Sequence, residues 1–220
     1  MMKLTKKECK QMLKDHYKEI DDQYQKTGVL SKGAQYRIDH SIAVSKIVEK
    51  IIKNNPNKFP NKELNKEFIK ACLLHDAYKL EQEEHHAEHA GLGLMILGFS
   101  NDSIVPITLH SVVKENNFKD MRKEISNYLL VLQDADIASK YNLKSIINSH
   151  DGIEDTLDVI YRLIKRLERI NIYFHDAEII LENGIKDMIK YVEYHNGMDR
   201  FKDLDLNNII INYGFKYYNR

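Results

Sequence analysis

What is scarce in these 220 residues narrows the reading first. There is no tryptophan, and there are only three prolines and nine glycines. A turn-rich all-β chain needs more chain breakers than that, so helices are favoured. Two cysteines, Cys9 and Cys72, are too few for a disulfide framework. Cys72 lies in an apolar run and reads as a small buried hydrophobe. No stretch approaches the roughly 20 apolar residues that span a bilayer. Charge of one sign is not in excess either: 33 basic residues balance 33 acidic ones. That removes the bulk attraction on which binding to nucleic acid or an anionic lipid surface depends. The opening MMKLTKKECKQ lacks the apolar core of an export signal, so the expected compartment is a reducing cytoplasm.

What is present is helical spacing. From His40, the apolar residues Ala43, Val44, Ile47, Val48, Ile51 and Ile52 recur at the period of an α-helix. The segment NNPNKFPN ends that helix. Other helices are expected over residues 5–25, 62–79, 86–97, 103–114 and 122–142, with TGVLSKGAQ and LEQEE as loops. Beyond residue 153 two or three amphipathic helices are expected, the first with Leu157, Ile160, Ile164 and Leu167 on one face. The only strand-like run, NIIINYGFKYY, stands near the C-terminus, and helix is expected there too. The fold class is all-α: a helical core over residues 1–145 and a C-terminal helical extension, residues 146–220, packed on it.

Chemistry shows where polar residues interrupt the apolar faces. His40 shares a stripe with Val44 and Ile47. Phe68, Cys72, His75 and Asp76 fall at helical spacing, so His75 and Asp76 are expected to face inward. A buried aspartate is costly unless it is paired or binds a metal. In the 122–142 helix, Ile125, Tyr128, Leu129 and Leu132 define a stripe to which Asp136 returns. Asp136 is therefore the expected functional carboxylate, and Asp134 should face solvent or stand behind the ligands. His89 shares a face with Leu92, Gly93 and Ile96, and His110 lines up with Pro106, Ile107 and Val113. Several helices thus aim imidazoles or carboxylates at one interior, which is how helical bundles build metal sites. His16, His150, His175 and His195 show no such pattern, and the dipeptide His175–Asp176 reads as a helix start.

The order H, HD, D resembles the HD superfamily of metal-dependent phosphohydrolases. It is carried by His40 in RIDHSIAVSKI, His75 and Asp76 in ACLLHDAYK, and Asp136 in LQDADIASKY. His89 and His110 between them are similar to the added pair in the bacterial HD-type diadenosine tetraphosphate hydrolases, although His85 and His86 offer alternatives to His89. The resemblance implies a helical bundle with His40, His75, Asp76 and Asp136 on one divalent ion. It also implies His89 and His110 on a second ion, bridged by Asp76. Iron or manganese suits so imidazole-rich a set, with zinc, nickel or cobalt as alternatives. The implied reaction is attack by a metal-activated hydroxide on a phosphoester or phosphoanhydride bond of a nucleotide or dinucleoside polyphosphate. Lys79, one turn beyond Asp76, is expected to act on the phosphate, and Arg37 to bind it. Two alternatives accompany this reading: a mononuclear nucleotidase and a di-iron oxygenase. The expected partner is a small phosphorylated substrate, with no membrane and no stable nucleic-acid complex, and a homodimer is conceivable.

Overall fold

The computed structural model describes residues 4–111 and 123–204. Among them there are ten α-helices and no strand, as expected of an all-α chain. Val113, the start of the 122–142 helix and the run NIIINYGFKYY lie outside the described residues. No helix among the described residues is long and apolar enough to cross a membrane.

Helix boundaries follow the capping residues. Thr5 opens α1 (Lys6–Ile20) with a capping box: its hydroxyl accepts from the Glu8 amide at 3.2 Å, and the Glu8 carboxylate accepts from the Thr5 amide at 2.6 Å. The helix expected to run to residue 25 breaks at Asp21. That carboxylate caps α2 (Asp22–Thr27) through the Gln23 amide at 3.2 Å and also holds the Ser31 amide at 2.6 Å. Gly28 ends α2 in the left-handed region at φ 70°, where glycine carries no steric penalty. Ser31 then caps α3 (Lys32–Asn54), so Gly33–Gln35 are helical where a loop was expected. Asn61 caps α4 (Lys62–Ala71), which stops eight residues short of Lys79 and passes into a 3₁₀ turn, Cys72–Leu74, and further turns. Next come α5 (His86–Ile96), α6 (Asn101–Leu109) and α7 (Lys123–Ser139).

The chain divides within α7 into two compact units, Met1–Asp136 and Ile137–Arg220. In the first, α3 touches α1, α4 and the 3₁₀ turn. Its stripe Val44, Ile47, Val48, Ile51 and Ile52 is buried, as are Phe68, Leu73, Tyr128 and Leu132. The irregular chain after α4 is tied down by hydrogen bonds. The Ser45 hydroxyl donates to the Ile69 carbonyl, and the Tyr17 hydroxyl donates to the Asp76 carbonyl, both at 2.8 Å. The Tyr17 bond fixes the backbone at the HD dipeptide.

The second unit holds α8 (Leu143–Ser149), α9 (Gly152–Arg166) and α10 (His175–Tyr194), with 3₁₀ turns Leu167–Arg169 and Gly197–Phe201. Leu157, Ile160, Ile164 and Leu167 are all buried, as their spacing implies. His175 begins α10, where its imidazole meets the Glu178 carboxylate at 3.0 Å. Gly184 lets α10 approach the chain at Tyr141, since a Cβ there would lie 1.9 Å from the Tyr141 carbonyl oxygen. Backbone cannot yield as a side-chain tip does. Gly184→Ala is therefore expected to destabilise this unit by about 1–3 kcal/mol, at the upper end of overpacking costs. Urea unfolding followed by circular dichroism checks it. A midpoint unchanged from the wild type would contradict the close approach.

Candidate metal centre

Four parts of the first unit deliver the polar residues expected at the site. His40 comes from the middle of α3, on the face that carries Val44 and Ile47, and is 4% exposed. His75 and Asp76 follow the 3₁₀ turn and are 0% and 3% exposed. They are buried as expected, but by the turn and not by the helical face on which they were counted. His110 is the C-cap of α6 and is also buried. Asp136 lies near the end of α7 and is partly exposed.

The ligand atoms fall into two groups that share one residue. His40, His75, Asp76 and Asp136 form the first, and Asp76, His86 and His110 the second, each spanning less than 4.8 Å. In the first group His40 Nε2 stands 3.0 Å from Asp136 Oδ1 and 3.6 Å from Asp76 Oδ2. His75 Nε2 stands 3.7 Å from Asp76 Oδ1 and 3.9 Å from Asp136 Oδ1. In the second, His86 Nε2 and His110 Nε2 stand 3.1 and 3.5 Å from Asp76 Oδ1.

Three of the imidazoles are held alike. His75 Nδ1 donates to the Cys72 carbonyl at 2.8 Å, His86 Nδ1 to the Glu83 carbonyl at 2.7 Å and His110 Nδ1 to the Ile107 carbonyl at 2.6 Å. Each acceptor lies three residues back along its own chain segment. A carbonyl only accepts, so each Nδ1 carries a proton, and in the neutral ring the Nε2 lone pair then points inward. His75 Nε2 and Asp76 Oδ1 are buried and make no hydrogen bond among the described residues. Lone pairs set against carboxylate oxygens repel unless a cation or a proton lies between them. The residues therefore fit divalent cations, with nitrogen and oxygen donors that suit transition metals better than magnesium.

In the absence of metal, protons do part of that work. His40 is lowered from the ordinary histidine value by burial, which the nearby Asp136 carboxylate only partly offsets. Burial alone would lower His75 too, but Asp76 and Asp136 outweigh it and raise the ring above 6.5. Asp76 would be raised by burial. The charge of His75 and the His110 and His86 imidazoles against it overcome this and hold it well below 3.8. In the metal-free protein the His75 contribution to stability is therefore complete below 6.5 and lost as pH rises through its raised value. The Asp76 contribution is present above 3.8 and lost as pH falls through its depressed value. A cation must displace the His75 proton. Affinity for Mn²⁺ is expected to fall as pH is lowered through the raised His75 range, with proton release on binding near neutral pH. Calorimetry in buffers of different ionisation enthalpy measures that release. Binding without proton release, and without pH dependence, would contradict the coupling.

Two expectations are corrected by this geometry. His89 joins neither group. Its ring instead lies 5.9 Å from that of Tyr78, while His86, one turn earlier on α5, meets Asp76. The cause is the packing of α5. Ala87, Ala90 and Gly91 are buried, and a Cβ on Gly91 would come within 2.2 Å of Thr108 Oγ1 of α6. Leu94 is buried with them on the inward face, whereas Leu92 and Ile96 are exposed at 53% and 83%. The second concerns Asp134, expected in solvent or behind the ligands: it is fully buried, which removes the first of these two places. Val131, Leu132, Ala135, Ala138 and Ser139 are buried as well, so α7 is covered around most of its circumference. Asp136, not Asp134, is the α7 carboxylate in the metal-ligand groups.

The two expected cations stand beside these groups. Arg37 Nη1 is 3.9 Å from Asp76 Oδ2. Lys79 Nζ lies against His86, 3.1 Å from Nε2 and 3.4 Å from Nδ1.

Comparison with known families agrees with this arrangement. The HD domain model matches residues 37–141, which contain every residue of both groups. The match supports a place in the HD-domain superfamily, whose members are generally metal-dependent hydrolases. Among curated proteins and among solved structures there is no significant match.

Proposed function

We propose that this chain is a metal-dependent phosphohydrolase with a dinuclear centre bridged by Asp76, acting on a nucleotide or dinucleoside polyphosphate. The observation that carries the reading is the set of Nδ1-anchored histidines whose Nε2 atoms converge on Asp76. His40, His75, Asp76 and Asp136 would hold one cation. Asp76, His86 and His110 would hold the other, with His86 in the place expected of His89. Divalent ions bound there supply positive charge toward phosphate oxygens and lower the pKa of water. With four imidazoles in the donor set, iron or manganese is the proposed metal.

The remaining work falls to the chain itself. The carbonyls of Cys72, Glu83 and Ile107 keep three rings in one tautomer, so the donors are oriented before any ion arrives. The Tyr17 hydroxyl holds the Asp76 backbone. Arg37, partly exposed beside Asp76, offers a guanidinium to a phosphate oxygen. A near-neutral surface attracts polyphosphate poorly, so the attraction is concentrated at the centre.

The test is a panel of nucleoside monophosphates, triphosphates and dinucleoside polyphosphates, incubated with protein loaded with Mn²⁺ or, anaerobically, with Fe²⁺. Cleavage within a phosphate ester or chain, lost on chelation, is the expected result. An oxygen-dependent product with no phosphate-bond cleavage would replace the hydrolase reading by the oxygenase one.

A further inference from the structure

Lys79 was expected to reach toward phosphate. In the structure its ammonium lies against the His86 imidazole, nearly equidistant from the two nitrogens at 3.4 and 3.1 Å. It does not lie on the Nε2 lone-pair axis alone, and that nitrogen also stands 3.1 Å from Asp76 Oδ1. An ion bound to His86 at about 2.1 Å would therefore lie within roughly 5.2 Å of the Lys79 nitrogen, whatever its direction. Two positive centres that close, beside a buried carboxylate, repel strongly.

We infer that Lys79 is the internal counter-cation of the second donor set: it opposes the second divalent ion and leaves His86 when that ion binds. This rests on the dinuclear reading above and adds a property to it. The two sites become unequal in affinity. The first set, with two carboxylates, fills tightly. The second set, with one shared carboxylate and Lys79 in contact, fills weakly and exchanges. The displaced ammonium is then free for a phosphate oxygen, so occupancy of the second site and availability of Lys79 to substrate rise together. Lys79 is half-buried, at the junction of the turns after α4 with α5.

The experiment is a titration of metal-free protein with Mn²⁺, by calorimetry and by metal analysis after gel filtration, on the wild type, Lys79→Met and Lys79→Gln. Both variants should bind the first equivalent as the wild type does, which also shows that the site is folded. The second equivalent should tighten about tenfold or more in both, or appear in them alone. A wild type with two ions whose second equivalent is unchanged or weakened in both variants would overturn the inference while leaving the dinuclear centre standing. One ion in all three proteins would overturn it as well. A wild type that binds no ion at all would remove the metal-centre reading itself.

Discussion

Asp76→Ala is expected to lose both ions and essentially all turnover, with kcat/KM falling by about 10⁴ or more. Among the described residues no other belongs to both groups that could hold a metal, so this one substitution removes a donor from each. The effect on the metal-free protein is also signed. Arg37, His40, His75, His86 and His110 all lie within 4 Å of this carboxylate, and the charge of His75 together with the His110 and His86 imidazoles holds it ionised. Removing it leaves the buried His75 imidazolium, whose raised value it supports, without that counter-charge, at a cost of about 3–5 kcal/mol where His75 is protonated. Guanidinium unfolding of metal-free protein, with circular dichroism to verify helix content, measures that cost. A folded variant that retains wild-type turnover would end the phosphohydrolase reading.

His86→Ala and His89→Ala should separate cleanly although the two residues are one turn apart on α5. The first is expected to reduce the metal content of iron- or manganese-loaded protein from two ions to one. Activity should fall on the order of 10²-fold, as for loss of a metal and its charge at the scissile phosphate. The second should keep both ions and lose only the contact with the Tyr78 ring. Metal analysis on the three proteins decides this. If His89→Ala loses an ion and His86→Ala does not, the packing of α5 described here is wrong.

The contrast between those two histidines shows how far pattern alone reaches. His40 and the buried stripe of α3 were readable because a polar residue interrupts an otherwise apolar face. α5 offers no such contrast, since Ala87, Ala90, Gly91, Leu92, Leu94, Met95 and Ile96 make it apolar nearly all round. Its inward side includes Gly91, where a Cβ would clash with Thr108 of α6, and the buried Leu94. Pattern pointed instead to Leu92 and Ile96 and so to His89. The adjacent His85–His86 pair was the available sign of the alternative. His75 and Asp76 were identified by residue type and order, but the continuous helix used to face them inward ends at Ala71. Their burial comes from the 3₁₀ turn and the Tyr17 hydrogen bond, a tertiary contact 59 residues away in sequence. Pattern left two places open for Asp134, because a helix covered on most sides has no single buried stripe to extrapolate.

The central claim is that Asp76 joins two cation sites. Anomalous diffraction at the manganese edge, from crystals grown with Mn²⁺, tests it most directly. The account predicts two peaks, one enclosed by His40, His75, Asp76 and Asp136 and one by Asp76, His86 and His110, the second weaker at limiting metal. Peaks bound to other residues, or none near Asp76, would contradict it.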